Sequence, residues 1–222
     1  MTSDHDDVTL LQVMKDKLYS AVLSDALDHF QQYDRAMRAN IRPLYPEAVV
    51  VGRAVTVQAM DVFERTENPY NQEINAVECL TPGTVLVAST NHSTRTCLWG
   101  ELLSTAVQIQ GAHGAVIDGY VRDAQRIIKM QFPVFATGLK PVDSNGCSIV
   151  VSYQRPVNCG DIIVQPGDIV FGDFDGVIVI PQNTEQQVIT WALNKVHTEN
   201  KTREALLQGN YLRDVYSEYG VL

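Results

Sequence analysis

The chain lacks the sequence features of several protein classes. No apolar run is long enough to span a membrane. Its four cysteines are scattered without Cys-x-x-Cys spacing, so reduced thiols are expected rather than a disulfide or zinc framework. The acidic, polar segment 1–7 lacks the basic and apolar regions of a secretory signal. We therefore expect a cytoplasmic protein with no membrane partner.

Basic residues are scarce. The 222 residues include 17 Lys and Arg against 26 Asp and Glu, which gives a formal net charge of -9. Proteins that bind a phosphate backbone normally present a basic face, so nucleic acid is not expected as a partner. A small anionic substrate stays compatible with this composition, because one arginine and a metal ion can reverse the potential inside a cleft.

Motifs of common enzyme classes are also missing. The central glycines do not have the spacing of a nucleotide-binding loop, and there is no Gly-x-Ser-x-Gly elbow of the serine hydrolases. The five histidines lack zinc-protease spacing, and nothing marks a lysine as desolvated enough for Schiff-base chemistry. His113 lies near the motif described below, but a structural role is its simpler interpretation.

The composition suits one packed domain over residues 1–222, with 45% hydrophobic residues. Residues 1–8 are expected to be flexible. Apolar residues at helical spacing then predict two short helices within 10–30, and Ser24 and Asp25 are able to cap the second.

Strands and helices alternate through the centre of the chain, which favours an α/β core with a mixed sheet. Strands are predicted over 49–57, 84–88, 115–117 and 134–137, and helices over 100–110 and 123–130. Short strands after residue 148, separated by glycine-containing turns, are expected to close a second layer. A long amphipathic helix is predicted over 184–208, so the fold class is a layered α/β sandwich with a C-terminal helix.

The most informative segment is Gly-Ala-Val-Ile-Asp-Gly-Tyr-Val-Arg-Asp at 114–123, where an apolar strand runs into a glycine turn and an Arg-Asp pair. The guanidinium of Arg122 matches a carboxylate or 2-oxo acid, and Asp123 can hold a divalent cation directly or through its water. Glu101 offers a second carboxylate, with twenty residues between it and Arg122. The pattern predicts a small anionic substrate on a metal, and the alternative is an ordinary surface ion pair at a helix start.

These motifs, taken together with other segments, resemble the RraA-like family, which includes 4-hydroxy-4-methyl-2-oxoglutarate aldolases. The other segments are Phe-Pro-Val-Phe-Ala at 132–136, Cys-Gly-Asp at 159–161, Pro-Gly-Asp at 166–168 and the stretch 173–181. Ser-Asp-Ala-Leu-Asp at 24–28 and Val-Gly-Arg-Ala at 51–54 look like the N-terminal pattern of the family. The resemblance covers nearly the whole chain and implies a single RraA-like domain.

The aldolase branch of this family has an acidic residue, then twenty residues, then Arg-Asp, and Glu101, Arg122 and Asp123 match that spacing. By the resemblance, Arg122 would bind the carboxylate and carbonyl side of a pyruvyl group, and Asp123 would hold Mg²⁺ or Mn²⁺. Glu101 would orient water on the metal. Family aldolases commonly have aspartate at this position, and Glu101 keeps the charge one methylene further out.

The resemblance also implies binding groups outside this triad. Backbone amides near Leu102 and Leu103, after Gly100 at a helix start, would add anion binding. The family places a C-terminal glutamate of a neighbouring subunit near the metal waters, and Glu199 is the candidate here. The site would then lie between subunits of a homotrimer or of a homohexamer made of two trimers.

The reaction implied is retro-aldol cleavage of 4-hydroxy-4-methyl-2-oxoglutarate, or a related 4-hydroxy-2-oxo acid, to pyruvate. Oxaloacetate decarboxylation is expected as a side activity, because it passes through the same pyruvate enolate. One alternative is a non-catalytic protein that, like RraA itself, binds and inhibits a ribonuclease, which the acidic composition allows. The other is an enzyme of the same enolate class whose substrate is a different 2-oxo acid.

Overall fold

The computed structural model describes the backbone of residues 4–221 and the side chains of residues 7–221. The helices are α1 Asp4–Lys17, α2 Ser20–His29, α3 Asn71–Glu78, α4 Glu101–Ile109, α5 Ala124–Met130, α6 Glu185–Leu207 and α7 Leu212–Tyr219. The strands are β1 Arg42–Pro43, β2 Val50–Asp61, β3 Thr84–Ser89, β4 Cys97–Trp99, β5 Gly114–Val121, β6 Val134–Leu139, β7 Ser148–Tyr153, β8 Val157–Cys159, β9 Ile162–Val164, β10 Ile169–Asp173 and β11 Gly176–Ile180.

Most strands belong to one mixed sheet, in the order β1-β6-β5-β3-β2-β10-β11. The four central strands β6, β5, β3 and β2 run parallel, whereas β10 and β11 are antiparallel to their neighbours. Central parallel strands are covered on both faces and are therefore apolar along their whole length. Strand β5 illustrates this, because Tyr120 is its only residue that is not buried.

The segment before β1 bridges the two edges of this sheet. The N–H of Met37 donates to the carbonyl oxygen of Val177 (2.8 Å), and the N–H of Val179 donates to that of Arg35 (3.0 Å). Strand β1 itself pairs with β6 at the opposite edge. The side chain of Arg42 also donates to the carbonyl oxygen of Asp175 at 2.7 Å. The sheet is consequently nearly closed on itself.

Three apolar clusters hold the layers together. One lies under α3, α4 and α5 and contains Val77, Val107 and Ile127 with side chains of the central strands. A second packs the hairpin β8–β9 and the segment around Ile41 against the other side of those strands. The third joins α1, α2 and α6 to β10 and β11. Burial of apolar surface in these clusters holds α4 and α5 against the sheet, and this packing fixes the strand ends at which the two helices lie.

The structure corrects several sequence predictions. Helix α1 begins at Asp4, and the Asp7 carboxylate pairs with Arg53 at 2.5 Å, whereas residues 1–3 lie outside the described part; the flexibility expected of residues 1–8 stays a prediction. Helix α2 begins at Ser20, so Ser24 and Asp25 lie inside it and do not cap it. The late strands do not form a separate second layer. Strands β7 and β10 pair with β2 in the main sheet, and only the hairpin β8–β9 stands apart.

Helix α6 occupies Glu185–Leu207, within the predicted range 184–208. Between residues 4 and 221, no helix combines the length and the apolar character needed to cross a bilayer.

Candidate functional site

The candidate site lies where two parallel strands end side by side. Strand β4 pairs with the end of β5, with Trp99 opposite Val121. Immediately after them begin α4 and α5, so two helix N-termini point to the same place. The N–H of Arg122 donates to the carbonyl oxygen of Trp99 at 3.0 Å and ties the two strand ends together. Ligands of α/β sheets commonly bind beyond the carboxyl ends of parallel strands.

The turn that presents Arg122 is not at the predicted glycine. Gly119 lies inside β5, where a Cβ atom would come within 2.6 Å of Thr90 Cγ2, so the close approach of the loop after β3 requires glycine. The chain turns instead at Asp123, whose φ of 58° lies in the left-handed region. Aspartate visits this region at a cost of about 1 kcal/mol, and such backbone strain is frequent at functional sites.

Arg122 lies between two carboxylates. Its Nε is 3.7 Å from Asp123 Oδ2, and its Nη2 is 3.4 Å from Asp143 Oδ1. Asp143 follows β6 and also accepts a hydrogen bond from the hydroxyl of Tyr70 at 2.6 Å. Both ion pairs are long and the side chain of Arg122 is about one-third exposed, so Arg122 is oriented by its neighbours and can still bind an anion.

The N-terminus of α4 faces the same carboxylate. The N–H of Glu101 points to Asp123 Oδ2 at 3.5 Å. The amides of Leu102 and Leu103 have no acceptor among the described residues, as is usual in the first turn of a helix. Gly100 precedes them, and a Cβ there would lie 3.0 Å from Asp123 Oδ2 and 3.2 Å from Arg122 Cγ. Glycine at this position therefore allows α4 to approach the Arg-Asp pair.

The side chain of Glu101 runs along α4. Its Oε1 accepts a hydrogen bond from Thr105 Oγ1 at 3.1 Å, and its Oε2 lies 4.0 Å from Arg126 Nη1 of α5. Glu101 still borders the same cavity as Arg122 and Asp123. The spacing in the sequence thus predicted three residues that the fold brings to one cavity.

This cavity has a volume of about 320 Å³ and an acidic lining. Its walls carry four carboxyl groups but only one guanidinium, that of Arg122; the four are Glu73, Glu101, Asp123 and Asp143. An anionic substrate would meet net repulsion there unless a cation entered with it. The charge balance of the cavity therefore suits a bound cation.

The available ligands fit one type of metal better than others. Among the described side chains, those of residues 7–221, no three His, Cys, Asp or Glu come together as a ligand set. Zinc normally takes three or four protein ligands, and this arrangement does not supply them. Mg²⁺ and Mn²⁺ accept one or two carboxylates together with waters and substrate oxygens, which the partly exposed Asp123 permits.

Sequence reasoning missed Tyr70, Glu73 and Asp143 as residues of this cavity. Glu73 lies on α3, is 9% exposed and shares the buried face of that helix with Ala76 and Val77. Burial, followed by the charge of Asp143, raises the pKa of Glu73 to about 7, although the charge of Arg122 lowers it. The sequence signal for Glu73 was a carboxylate at a position where the helical spacing of apolar residues predicts burial. The signal for Asp143 was its position after a strand of the parallel part of the sheet.

Glu199 is not brought to this cavity within one chain. It lies on α6 and packs toward α2, where it accepts a hydrogen bond from the hydroxyl of Tyr19 and lies 3.8 Å from Lys195 Nζ. Burial and this hydrogen bond to Glu199 raise the pKa of Tyr19. The contribution of Glu199 to the site of another subunit stays a prediction.

Two other polar groups have structural roles. The Nδ1 of His113 lies 2.7 Å from the carbonyl oxygen of Val51, just before β5 and at the opposite end of that strand from Arg122. Asp173 accepts hydrogen bonds from the N–H and the hydroxyl of Ser20 at 2.8 and 2.6 Å. It also accepts one from the N–H of Asp175, as expected for a tight turn.

Comparison with known proteins identifies relatives along most of the chain. The Aldolase/RraA model of the RraA-like family matches residues 20–179. A protein of Halalkalibacterium halodurans, provisionally named a 4-hydroxy-4-methyl-2-oxoglutarate aldolase, is 29% identical over 190 residues, which are 86% of this chain and 85% of that protein. Legionella pneumophila protein DlpA is 28% identical over 200 residues, 90% of this chain, and the chain spans only 32% of its length.

A solved structure shares the fold. Streptomyces coelicolor RraAS2, described as an unusual member of the RNase ES inhibitor RraA protein family, superposes with a TM-score of 0.78 at 28% identity. The match covers 88% of this chain and 96% of that protein. The layered α/β architecture predicted from the sequence is thereby confirmed.

Proposed function

Since the chain belongs to the RraA-like family, we propose that it is a lyase that cleaves 4-hydroxy-4-methyl-2-oxoglutarate, or a related 4-hydroxy-2-oxo acid, to pyruvate with the help of a divalent metal. The observation that carries the proposal is the meeting of Arg122, Asp123 and the free amides of α4 in one cavity. Oxaloacetate decarboxylation is proposed as a side activity, since the same pyruvate enolate is formed.

The parts of the site would divide the substrate between them. Arg122 would bind the carboxylate of the pyruvyl end through its guanidinium, with the amides of Leu102 and Leu103 as further donors. Asp123 would hold Mg²⁺ or Mn²⁺, which when bound would polarise the 2-oxo group as a Lewis acid. Support for this assignment comes from the acidic lining, where a cation offsets the repulsion between the carboxylates and an anionic substrate.

The chemistry requires stabilisation of a carbanion. The C4 hydroxyl loses its proton to a water oriented by Glu101, the C3–C4 bond breaks, and its electron pair enters the enolate of pyruvate. Arg122 would also stabilise the negative charge that develops on the 2-oxo oxygen, because its guanidinium would bind the pyruvyl end of the substrate. Protonation of C3 then completes pyruvate.

We further propose that the active assembly is a homotrimer or a homohexamer, with Glu199 near the site of a neighbouring subunit. Within its own chain Glu199 is held by Tyr19 and Lys195. In the proposed role its carboxylate would contact the site of the neighbouring subunit while it keeps these two partners. Exposed apolar side chains near the C-terminus support association, because an apolar surface of this kind favours burial against another chain. They are Leu207, Tyr211, Leu212 and Tyr216.

Single substitutions test the assignment. Arg122→Ala should lose most turnover and weaken pyruvate affinity, because the substrate carboxylate loses its charged partner. Asp123→Ala should lose both activity and its response to added metal. Arg203→Ala, an exposed arginine on α6 that hydrogen-bonds Asn200, serves as the control for removal of an arginine elsewhere. Metal-dependent cleavage retained in both site variants would refute the proposal.

A second candidate is a non-catalytic regulator of a ribonuclease. The match to RraAS2, a protein described within an RNase inhibitor family, favours this reading, and the net charge of -9 is compatible with binding a basic partner. The two candidates differ in two observables, pyruvate release and the inhibition of a ribonuclease. A regulator would release no pyruvate with any metal, yet would reduce the activity of a purified ribonuclease.

A further inference from the structure

Glu73 lies at the boundary between the core and the candidate site. On one side it borders a small apolar cavity together with Val57, Leu98 and Val150. On the other side it lines the 320 Å³ cavity that contains Arg122. Among the residues that border both cavities, Glu73 is the one with a titratable side chain.

The carboxyl group of Glu73 accepts no hydrogen bond and forms no ion pair with the residues that the structure describes, and the residue is 9% exposed. Its oxygens are not among the enclosed polar atoms that lack a partner, so they are open to the cavity. Buried carboxylates are normally paired, because removal of an unpaired charge from water is costly. The potential partner Arg122 is instead engaged by Asp143 and Asp123. An unpaired carboxyl group on a largely buried residue therefore faces a substrate-sized cavity.

Six titratable or charged groups share this cavity or act on Glu73 from the elements around it. They are Tyr70, Cys97, Glu101, Arg122, Asp123 and Asp143. Burial is the main cause that raises the pKa of Glu73 to about 7, and the nearby charge of Asp143 adds to it. At neutral pH the group is consequently available in its protonated form, which is the state required of a proton donor.

We infer that Glu73 is the general acid of this site and donates the proton to C3 of the pyruvate enolate. The inference rests on the proposed lyase function and adds the residue that completes its last step. An acid is needed there because the enolate becomes pyruvate only when C3 gains a proton. The apolar wall behind Glu73 disfavours its charged form, so that protonated Glu73 is available near neutral pH when the enolate forms.

The step is balanced in atoms and electrons. The O–H bond of Glu73 breaks and leaves its electron pair on the carboxylate, while the C2–C3 π pair of the enolate forms the new C3–H bond. The C2–O bond returns to a carbonyl. Solvent then returns a proton to Glu73, which replaces the one released from the C4 hydroxyl during cleavage. No oxidant or other co-reactant is required.

Exchange of the methyl protons of pyruvate in D₂O, followed by ¹H NMR with Mg²⁺ or Mn²⁺ present, tests this step without the cleavage reaction. Glu73→Gln should slow exchange by about 100-fold or more, the usual contribution of a general acid or base. It should still bind pyruvate in titration calorimetry. Glu78→Gln, an exposed glutamate on the same helix, is the matched control and should exchange at the wild-type rate.

The pH profile separates a chemical role from a structural one. The cleavage rate of the wild type should fall as pH rises through about 7, where Glu73 loses its proton, and this limb should be absent in Glu73→Gln. Glu73→Asp should restore part of the exchange, because it keeps a carboxyl group.

Three results would overturn the inference. If Glu73→Gln exchanges pyruvate protons at the wild-type rate and keeps the same pH dependence, Glu73 does not donate the proton. The lyase proposal would still stand in that case. If Glu73→Gln does not fold, a wild-type profile without a limb near pH 7 would have the same meaning. Absence of both cleavage and exchange in the wild type would refute the lyase proposal and this inference together.

Discussion

The Nη2 of Arg122 lies 3.4 Å from Asp143 Oδ1, although the two residues follow different strands of the sheet. Asp143 also accepts a hydrogen bond from the hydroxyl of Tyr70. Through these two contacts Asp143 connects the loop before α3 to the end of β5. Its charge therefore acts on the arginine that would bind the substrate and on Glu73, which would protonate the product.

Asp143→Asn should move the pH limb of activity to lower pH. Burial remains the main cause of the raised pKa of Glu73, but the substitution removes the negative charge that adds to it and frees Arg122 to lower that pKa further. The rate of pyruvate release, measured between pH 5 and 9 (roughly the range that brackets a perturbed carboxyl group), checks the direction. A limb that stays in place, or moves to higher pH, would be inconsistent with this electrostatic coupling.

Glu73→Gln should become more stable than the wild type as pH rises. The pKa of Glu73 is about 7 in the fold against 4.5 as its ordinary value, so the fold binds this proton more tightly than the unfolded chain. The contribution of protonated Glu73 to the free energy of unfolding is complete below pH 4.5. This contribution is lost as pH rises through about 7. Above that pH the difference in the free energy of unfolding should approach about 3 kcal/mol, from 1.36 kcal/mol per pKa unit.

Urea unfolding of both proteins at several pH values measures this difference, with the exposed Glu78→Gln as the control for a lost surface charge. The curves of wild type and Glu73→Gln should diverge with pH, whereas the control should run parallel to the wild type. Parallel curves for Glu73→Gln would mean that Glu73 ionises as an ordinary carboxyl group.

Gly100→Ala should impair the site with little effect on the fold. The new Cβ would lie 3.0 Å from Asp123 Oδ2, so the carboxylate or the start of α4 must move by a few tenths of an ångström. Since a misplacement of about 1 Å at reacting groups can cost roughly 100-fold in rate, this smaller shift should cost about 10-fold. Pyruvate release and the thermal unfolding temperature, compared with Ile109→Ala at the far, exposed end of α4, measure the two effects separately. Wild-type turnover in Gly100→Ala would show that this close approach is not needed.

Arg38→Ala should destabilise the fold by about 3 kcal/mol. Asp118 is 1% exposed, forms an ion pair with Arg38 and accepts a hydrogen bond from the N–H of Gly160 at 2.9 Å. The substitution therefore leaves the buried carboxylate of Asp118 without the positive charge of Arg38. Removal of the 75% exposed Arg126 side chain should cost less than about 1 kcal/mol. Denaturant unfolding of both variants is the check, and equal losses would contradict the structural importance given to the buried pair.

Much of this architecture could be predicted from the sequence, for identifiable physical reasons. Long apolar runs such as β5 and strong helical spacing such as that of α6 depend on the local chain alone. Strands β4 and β8 have three residues each, too few to show a period. The pairing of β10 with β2 depends on contacts distant in sequence, which is why the expected second layer became part of one sheet.

The site was predictable in the same uneven way. Arg122, Asp123 and Glu101 follow strand ends or begin a helix, where sequence reasoning expects ligand-binding groups. Glu73 and Asp143 join them only through tertiary packing, since they come from α3 and from the loop after β6. The positive φ of Asp123 carries no sequence signal of its own, and it shifted the turn from Gly119 to the Arg-Asp pair itself.

Pyruvate release from 4-hydroxy-4-methyl-2-oxoglutarate and from oxaloacetate, measured with Mg²⁺, with Mn²⁺ and with EDTA for the wild type and Asp123→Ala, decides whether this protein is a metal-dependent lyase. We expect release from both compounds that requires metal and disappears in the variant. Correctly folded wild-type protein that releases no pyruvate above background would contradict it and would favour the ribonuclease regulator instead.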